Sequence, residues 1–345
     1  MRTDELDFDL PEELIAQAPP AERTASRLMH YCRGDGSLAH RVFSDLPGIL
    51  RPGDLLVFND TRVLPARFAL RKSTGGRIDG LFLDEPGAGH WRVLLRNLGK
   101  TPHASLAFAD APEISAQVIR IGPDGEYELQ ISSPEPAAVV LERIGRMPLP
   151  PYIRRDKEHD QRDAADRERY QTVFARHAGA VAAPTAALHF SGPLLEQLAA
   201  RGIEQTFVTL HVGPGTFKPV TAATLKEHAM HAERYSISAE AAAALNRARS
   251  EHRRIIAIGT TSARVLESQS PEGFVSREGS TQLLIYPPYQ WRHVDALLTN
   301  FHLPRSTLIA LVAAFVGLET QRMLYRAAIE ERYRFFSFGD AMLVE

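Results

Sequence analysis

The sequence predicts a mixed α/β protein, with a main α/β domain into which a small antiparallel β-barrel domain is inserted. Between about Arg62 and Ser133, short β-type runs are separated by Gly, Pro, Asp and Asn every 8 to 12 residues, without a helical period, which is typical of a small barrel. On both sides of this segment, strand-like and helix-like runs alternate, as in a sheet flanked by helices. We therefore predict that residues 1–61 and 149–345 form the main domain and that residues 62–148 form the barrel.

Apolar runs bounded by turn residues predict the strands. In the main domain they are DLLVFND, TFVTLHV, RIIAIGT, TQLLIYP and ALLTNFH, and in the barrel they extend from VLPARFAL to EYELQIS. Among the predicted helices, GPLLEQLAARG carries Pro193 in a first turn that tolerates a missing N–H, and SAEAAAALNRARSEH has Ser238 as its N-cap. The run from Ser306 to Arg332 is apolar and then amphipathic, which predicts one long helix that packs against the sheet before it surfaces.

Composition is that of an ordinary globular protein. The 345 residues, 44% hydrophobic and 24% charged, are enough to bury a large core. No apolar run approaches the roughly 20 residues of a membrane helix, and the acidic N-terminus is unlike a signal peptide. We therefore expect a cytoplasmic, monomeric protein without a membrane partner. The single cysteine, Cys32, excludes an intramolecular disulfide and is interpreted as a small buried hydrophobe.

One segment is locally basic although the net charge is only −2. From Arg51 to Arg77 the chain has six basic residues and two acidic ones. Two interpretations stay open, a surface that faces a polyanion or a mixed solvated surface. Arg67, Arg71 and Lys72 are the candidate polyanion-binding residues.

Three predicted strands end in polar loops, and α/β proteins hold their ligands at the carboxyl ends of strands. FNDTRV can hydrogen-bond a sugar or pair with a carboxylate, or can form only an Asx turn. In IAIGTTSARVLES, free N–H groups at a helix start favour a carboxylate or phosphate, although a plain capped helix also fits. LLTNFHLPRSTL ends the third strand. The shared pocket that we predict has these candidate ligand-binding residues: Asn59, Thr61, Arg62, Thr260, Thr261, Ser262, Arg264, Asn300, Arg305, Ser306 and Thr307.

Two further segments, AAPTAALHF and HVGPGTF, place a histidine where an apolar run meets a polar loop. Glycines in the second segment let the backbone approach a ligand closely, although Gly-Pro-Gly is often an ordinary turn. No zinc template or nucleophile elbow is present, so we expect no metal site and no hydrolytic triad. These segments add the candidates Thr185, His189, His211, Gly213, Gly215 and Thr216.

Nine motifs follow one another along nearly the whole chain: LPEELIAQAPPAERTASRL, RPGDLLVFNDTRVLPAR, MPLPPYIRR, YQTVFA, VAAPTAALHF, VTLHVGPGTFKPV, IAIGTTSARVLES, LLTNFHLPRSTL and YRFFSFGDAML. Their sequences and their order resemble the S-adenosylmethionine:tRNA ribosyltransferase-isomerase family of queuosine biosynthesis. Two positions depart from the family pattern, because Ala187 stands where the family usually has Gly and Ala229 where it usually has His.

The resemblance implies an α/β domain with an inserted β-barrel. It also implies an enzyme that transfers the ribosyl moiety of S-adenosylmethionine to the aminomethyl group of 7-aminomethyl-7-deazaguanine, at the wobble position of tRNA. The ribosyl group is isomerised to an epoxycyclopentane, so that epoxyqueuosine-tRNA remains while adenine and methionine leave. S-adenosylmethionine is then a consumed co-substrate, no recycled cofactor is expected, and the basic residues named above become candidates for tRNA binding.

This chemistry needs a base that titrates near neutrality and a group that stabilises the leaving adenine, tasks for which histidine is the usual side chain. His189, His211 and His302 are the candidates, each placed by its motif at a strand end. Each of them can instead be a structural histidine, and Asp60 or Asp340 can serve in its place.

Overall fold

The predicted fold class is confirmed by the computed structural model, which describes residues 1–99, 105–155, 162–213, 215 and 220–345. A large mixed sheet with helices is joined to a closed β-barrel. The strands are β1 (Arg27–Tyr31), β2 (Leu38–Val42), β3 (Leu55–Asn59), β4 (Thr61–Val63), β5 (Arg67–Lys72), β6 (Arg77–Gly87), β7 (His90–Arg96), β8 (Leu106–Phe108), β9 (Ala111–Ile121), β10 (Glu126–Ile131), β11 (His177–Ala180), β12 (Glu204–Leu210), β13 (Glu233–Ile237), β14 (Ile255–Ile258), β15 (Arg277–Thr281), β16 (Ala296–Asn300) and β17 (Ala341–Val344). The α-helices are α1 (Leu46–Ile49), α2 (Ala137–Ile144), α3 (Asp163–Arg169), α4 (Gly192–Ala200), α5 (Ala239–Ser250), α6 (Thr260–Glu267), α7 (Thr307–Val316) and α8 (Leu318–Glu330).

The main sheet has the strand order β15-β13-β12-β3-β14-β16-β17-β1-β2. At its centre β12, β3, β14 and β16 are parallel, so their carboxyl ends meet at one edge. β3, β14 and β16 are buried along their whole length, as expected for strands covered on both faces. The polar residues that follow these strands are therefore brought together. A short parallel pair, β4 with β11, lies apart from this sheet.

The barrel closes in the order β10-β7-β6-β5-β8-β9, with every pair antiparallel. Its interior is aromatic, and the ring of Trp91 lies 5.9 Å from that of Phe68 and 5.1 Å from that of Phe82. A side chain on Gly80 would come within 2.2 Å of the Phe68 ring, so the close packing requires glycine at this position.

The chain enters and leaves the barrel through two adjacent segments, which we call the neck (residues 64–67 and 144–147). Arg67 N–H donates to the Arg146 carbonyl at 3.0 Å, and Arg146 N–H donates to the Arg67 carbonyl at 2.7 Å. At Gly145 a Cβ atom would lie 1.8 Å from the Pro65 carbonyl oxygen, so the two segments touch backbone to backbone. The domain boundaries after residues 61 and 148 stay predictions.

Two helix starts agree with the sequence analysis. Ser238 Oγ accepts a hydrogen bond from Ala241 N–H at 3.1 Å at the start of α5, and Pro193 lies in the first turn of α4. The single helix predicted from Ser306 to Arg332 was wrong, because Gly317 adopts φ of 88° and separates α7 from α8 by a bend of 113°. In the described ranges no one helix is long and apolar enough to cross a membrane, and the bent pair α7–α8 meets that test only when taken together.

The strand predicted at TQLLIYP was also wrong. β15 ends at Thr281, and residues 282–288 are irregular. Leu283 N–H donates to Thr281 Oγ1 at 3.1 Å, and the Leu283 carbonyl accepts from Arg264 Nε at 3.0 Å. Side chains therefore take the hydrogen bonds that a strand partner would need. His189 also lies elsewhere than predicted, in a 3-10 helix (Thr185–His189) and not at a strand end.

Candidate active site

A cavity of about 500 Å³, which we call the larger cavity, lies between the carboxyl edge of the main sheet and the barrel. His211, Thr260 and Arg264 line it from the sheet side, and Asp84 and Arg92 line it from the barrel side. A smaller cavity of about 70 Å³ lies beside it, since Val212, Thr260, Thr261 and Leu308 line both. Ligand sites in α/β proteins usually lie in this position, at the ends of parallel strands.

His211 follows β12 and is half-buried in the wall of the larger cavity. Its Nδ1 atom lies 2.9 Å from the hydroxyl oxygen of Thr61. Its ring packs on the backbone of Gly179, where a Cβ atom would come within 2.9 Å of the imidazole. Burial lowers the pKa of His211 below its ordinary value, and the positive charge of Arg234 lowers it further. The imidazole is therefore neutral at pH 7 and able to accept a proton.

Asp60 lies between β3 and β4 and is buried, with an exposed fraction of 4%. One carboxylate oxygen accepts a hydrogen bond from Thr209 Oγ1 at 2.7 Å. The other oxygen lies 3.6 Å from Nε2 of His177, at the start of β11. His177 was not among the sequence candidates, because its pairing with Thr61 joins two short strands that are far apart in the chain.

Arg264 lies on α6, and its guanidinium is buried against the larger cavity. Its Nη1 atom pairs with the buried carboxylate of Glu233, which also accepts a hydrogen bond from Gly213 N–H at 3.1 Å. Its Nη2 atom is buried and has no hydrogen-bond partner within the described part of the chain. The hydroxyl of Thr261 is also buried and also has no hydrogen-bond partner among the described residues. Buried donors of this kind are rarely left unpaired in proteins, so both atoms indicate a site for a polar ligand.

His302 and His189 are held in buried hydrogen bonds. His302 Nε2 lies 2.7 Å from Thr299 Oγ1, and His189 Nδ1 lies 2.9 Å from Ser26 Oγ, while its Nε2 lies 3.3 Å from Asn300 Oδ1. Burial lowers the pKa of His302 to about 3 and that of His189 to about 4. His302 lines the smaller cavity, whereas His189 lines neither cavity.

The other predicted ligand-binding residues divide into three groups. Thr185, Asn300 and Ser306 line the smaller cavity, and Gly213, Gly215 and Thr307 line the larger one. A second group makes structural contacts. Asn59 exchanges hydrogen bonds with the backbone of Leu210, and Ser262 Oγ donates to the Ile258 carbonyl at 3.0 Å. Thr216 lies outside the described residues.

The third group consists of surface ion pairs away from the cavities. Arg62 pairs with Glu142 at 2.9 Å, and Arg305 donates from Nε to Asp7 at 2.8 Å. Both arginines are about half exposed, so these pairs contribute little to stability.

The basic candidates lie on β5, on the outside of the barrel. Arg67 and Arg71 are exposed and Lys72 is half-buried. In the ranges that the structure describes, none of the three has an ion-pair partner, and Arg96 adds a further positive charge beside Arg67. Most other arginines on the barrel are paired, for example Arg92 with Asp84.

One group of possible metal ligands lies elsewhere. His30, Cys32 and Glu345 bring ligand atoms within 4.8 Å of one another. The His30 ring lies 2.9 Å from one oxygen of Glu345, and Arg254 binds the other oxygen. The arginine already neutralises this carboxylate, so the group acts as an ion-pair network. Cys32, predicted to be a buried hydrophobe, is half-buried beside these polar groups.

Comparisons with known proteins cover the whole chain. A family model described as "Queuosine biosynthesis protein" matches residues 3–344. Proteins named S-adenosylmethionine:tRNA ribosyltransferase-isomerase are similar, at 49% identity in Pelobacter propionicus over 100% of both chains, and at 50% identity in Ralstonia nicotianae over 99% of this chain and 94% of the relative. The crystal structure of S-adenosylmethionine tRNA ribosyltransferase from Thermotoga maritima is 34% identical, with a TM-score of 0.55 over 99% of this chain and 100% of that one.

Proposed function

The chain belongs to the queuosine biosynthesis protein family, and on this premise we propose that it is an S-adenosylmethionine:tRNA ribosyltransferase-isomerase. The proposed acceptor is the aminomethyl group of 7-aminomethyl-7-deazaguanine at the wobble position of tRNA. The ribosyl moiety of S-adenosylmethionine is transferred to this amine and isomerised to an epoxycyclopentane. The products are epoxyqueuosine-tRNA, adenine and methionine.

The observation that carries the proposal is the buried Nη2 atom of Arg264 at the larger cavity, which has no hydrogen-bond partner in the residues that the structure describes. S-adenosylmethionine ends in an amino-acid carboxylate, which needs a cationic partner once it leaves water. Arg264 Nη2 and the unpaired hydroxyl of Thr261 can both donate to it. The cavity volume of about 500 Å³ lies within the roughly 300–1,000 Å³ of pockets for ligands of this size.

We assign the first proton transfer to His211. The sulfonium of S-adenosylmethionine acidifies the adjacent 5′ carbon, so a base that removes this proton can start ribose opening and loss of adenine. The tRNA amine then adds to the C1′ carbonyl, and the carbonyl oxygen adds back to C4′, so that the 5′ carbon is again an ylide. The 5′ carbon displaces this oxygen from C1′ to close the five-membered ring, and the alkoxide left on C4′ displaces methionine to form the epoxide. Of the three candidate histidines, His211 alone lines the larger cavity, and Thr61 holds its Nδ1 side. Its Nε2 atom is thereby left to act as the base.

The tRNA would lie on the barrel. Arg67, Arg71 and Lys72 lie on one strand and have no ion-pair partner among the described residues, as expected for contacts to phosphates. The barrel also forms one wall of the larger cavity through Asp84 and Arg92. A tRNA bound to this unit would therefore be held next to S-adenosylmethionine. We keep the cytoplasm as the predicted location and the monomer as the predicted state.

Release of labelled adenine from S-adenosylmethionine tests the proposal. We expect adenine only when tRNA carrying the aminomethyl base is present, with the same tRNA carrying guanine at the wobble position as the matched control. Release without RNA would instead indicate a small-molecule transferase. Binding of tRNA with no release under either condition would indicate a module that only binds RNA.

A further inference from the structure

His177 lies near the proposed base, on the segment that borders the larger cavity. It opens β11, and Gly179 and Val181 further along the same segment line the cavity. The hydroxyl of Thr61 connects the two histidines, since it lies 3.4 Å from the His177 carbonyl and 2.9 Å from His211 Nδ1. The His177 side chain is 62% exposed, whereas His211 is half-buried. One histidine thus lines the cavity, and the other lies beside it and is open to solvent.

Asp60 gives the exposed histidine a buried partner. Its second carboxylate oxygen lies 3.6 Å from His177 Nε2, and the described part of the chain holds no other basic side chain within ion-pair distance of Asp60. A buried carboxylate is costly unless it is paired. The Asp60 carboxylate lies on the Nε2 side of the ring, too far for a hydrogen bond, and its negative charge stabilises the imidazolium that forms when Nδ1 accepts a proton.

The charged and titratable groups around His177 come from three elements. Asp60 faces it from the turn between β3 and β4, and His211 faces it from the end of β12. The positive charge of Arg234, on β13, lowers the pKa of His211. The neighbouring Arg176 makes a different contact, because its guanidinium lies 5.1 Å from the ring centre of Phe207.

We infer that His177 is the base that deprotonates the aminomethyl group carried by the tRNA. This inference rests on the proposed function. A primary alkylamine has a pKa of about 10, as lysine does, so at neutral pH it is an ammonium ion without a free electron pair. His177 Nδ1 takes one proton from this nitrogen, the N–H bond breaks, and the freed pair forms the C–N bond to C1′. The reaction then uses two bases, His211 for S-adenosylmethionine inside the cavity and His177 for the tRNA amine beside it.

The test is the pH dependence of kcat/KM for aminomethyl-tRNA, at saturating S-adenosylmethionine, in His177→Gln. We expect about a 100-fold loss at pH 7, with unchanged affinity for S-adenosylmethionine. Above pH 7 the rate of the variant should rise about tenfold per pH unit until the amine itself is deprotonated. Asp60→Asn should show the same pH dependence of kcat/KM, with a smaller loss at pH 7. His90→Gln is the matched control, because His90 also pairs with a carboxylate, Glu128 at 3.0 Å, and lines neither cavity.

A variant with the wild-type rate and profile would overturn the role of His177. A loss of equal size at every pH would also overturn it, because that result indicates a structural or binding role. The proposed function is tested in the same assay by tRNA-dependent adenine release from the wild-type enzyme. If the wild-type enzyme releases no adenine, both proposals fail. If the wild-type enzyme is active and the variant is unaffected, only the proposed role of His177 is rejected.

Discussion

The Oγ1 atom of Thr61 lies 2.9 Å from Nδ1 of His211 and 3.4 Å from the carbonyl oxygen of His177. A hydroxyl has a single proton. When it donates that proton to the carbonyl, it can only accept from His211, so the imidazole proton is on Nδ1 and Nε2 is free. A threonine at the start of β4, where β4 pairs with β11, thus selects the tautomer that the proposed base needs.

His211→Ala is expected to lower turnover about 100-fold or more, the usual scale for loss of a general base. The variant should keep its fold and its affinity for S-adenosylmethionine, measured by circular dichroism and calorimetry. Near-normal turnover would show that the base is another group.

The acid limb of the pH profile gives an independent test of His211. The base must be neutral, so kcat/KM for S-adenosylmethionine falls as the pH drops below its pKa, which burial and Arg234 place below the ordinary value of about 6.5. Arg234→Gln removes the charge that lowers this pKa. The acid limb should therefore move to higher pH. If the acid limb does not move, the observed titration belongs to a group other than His211.

His189 and His302 should determine stability in mild acid. Their pKa values in the folded state are about 4 and about 3, below the value of about 6.5 in the unfolded chain. The unfolded state therefore binds more protons as the pH falls below about 6.5, and the free energy of unfolding drops by about 1.4 kcal/mol per pH unit for each histidine. Urea unfolding at pH 7.0 and 5.0 measures this slope. His302→Gln should flatten it, and an unchanged slope would contradict the assignment.

Arg264 should bind the carboxylate of S-adenosylmethionine. Arg264→Ala is expected to weaken binding about 10- to 100-fold, the loss of a charge-assisted hydrogen bond worth roughly 1.5–3 kcal/mol. This variant also leaves Glu233 buried without its cation, which destabilises the fold. Arg264→Lys is the matched variant, because it keeps a charge for Glu233 while it removes Nη2. Wild-type affinity in both variants, by calorimetry, would place the carboxylate elsewhere.

The basic residues of β5 should make the binding of tRNA dependent on salt. Each phosphate contact that is lost should reduce the slope of log affinity against log salt by about one, so Arg71→Ala and Lys72→Ala together should reduce it by about two. Arg120→Ala is the control, since Arg120 is an exposed cation of the barrel that pairs with Glu128. Equal slopes in the wild-type protein and the double variant would show that these residues of β5 do not contact the tRNA.

Local sequence was enough to predict the fold class and most of the strands. Turn residues interrupt the barrel strands at short intervals, and the buried strands of the main sheet are continuous apolar runs. TQLLIYP has the same apolar character, but hydrogen bonds from Thr281 and Arg264 hold it outside the sheet. A contact with Arg264 that spans 19 residues is not visible in a local pattern.

The site was predicted only where its residues follow strands. Thr260 and His211 line the larger cavity as expected, since parallel strands bring their carboxyl ends together. His177, Glu233 and the barrel residues of the cavity wall were missed. Their positions depend on pairings between distant segments, such as the bridge between β4 and β11. One signal was available, because His177 precedes a glycine by two residues in a short β-type run.

The backbone contact at the neck also bears on how the chain folds. Four of the six strand pairs of the barrel join consecutive strands, and the other two, β5 with β8 and β7 with β10, close it. Once it has formed, Arg67 and Arg146 are hydrogen-bonded to each other, and the intervening chain no longer behaves as a long loop. The entropy cost of bringing β3 to β12 then falls to that of a much shorter connection. Closing the neck therefore lets the main sheet form across a short connection, although the barrel interrupts the sheet in sequence.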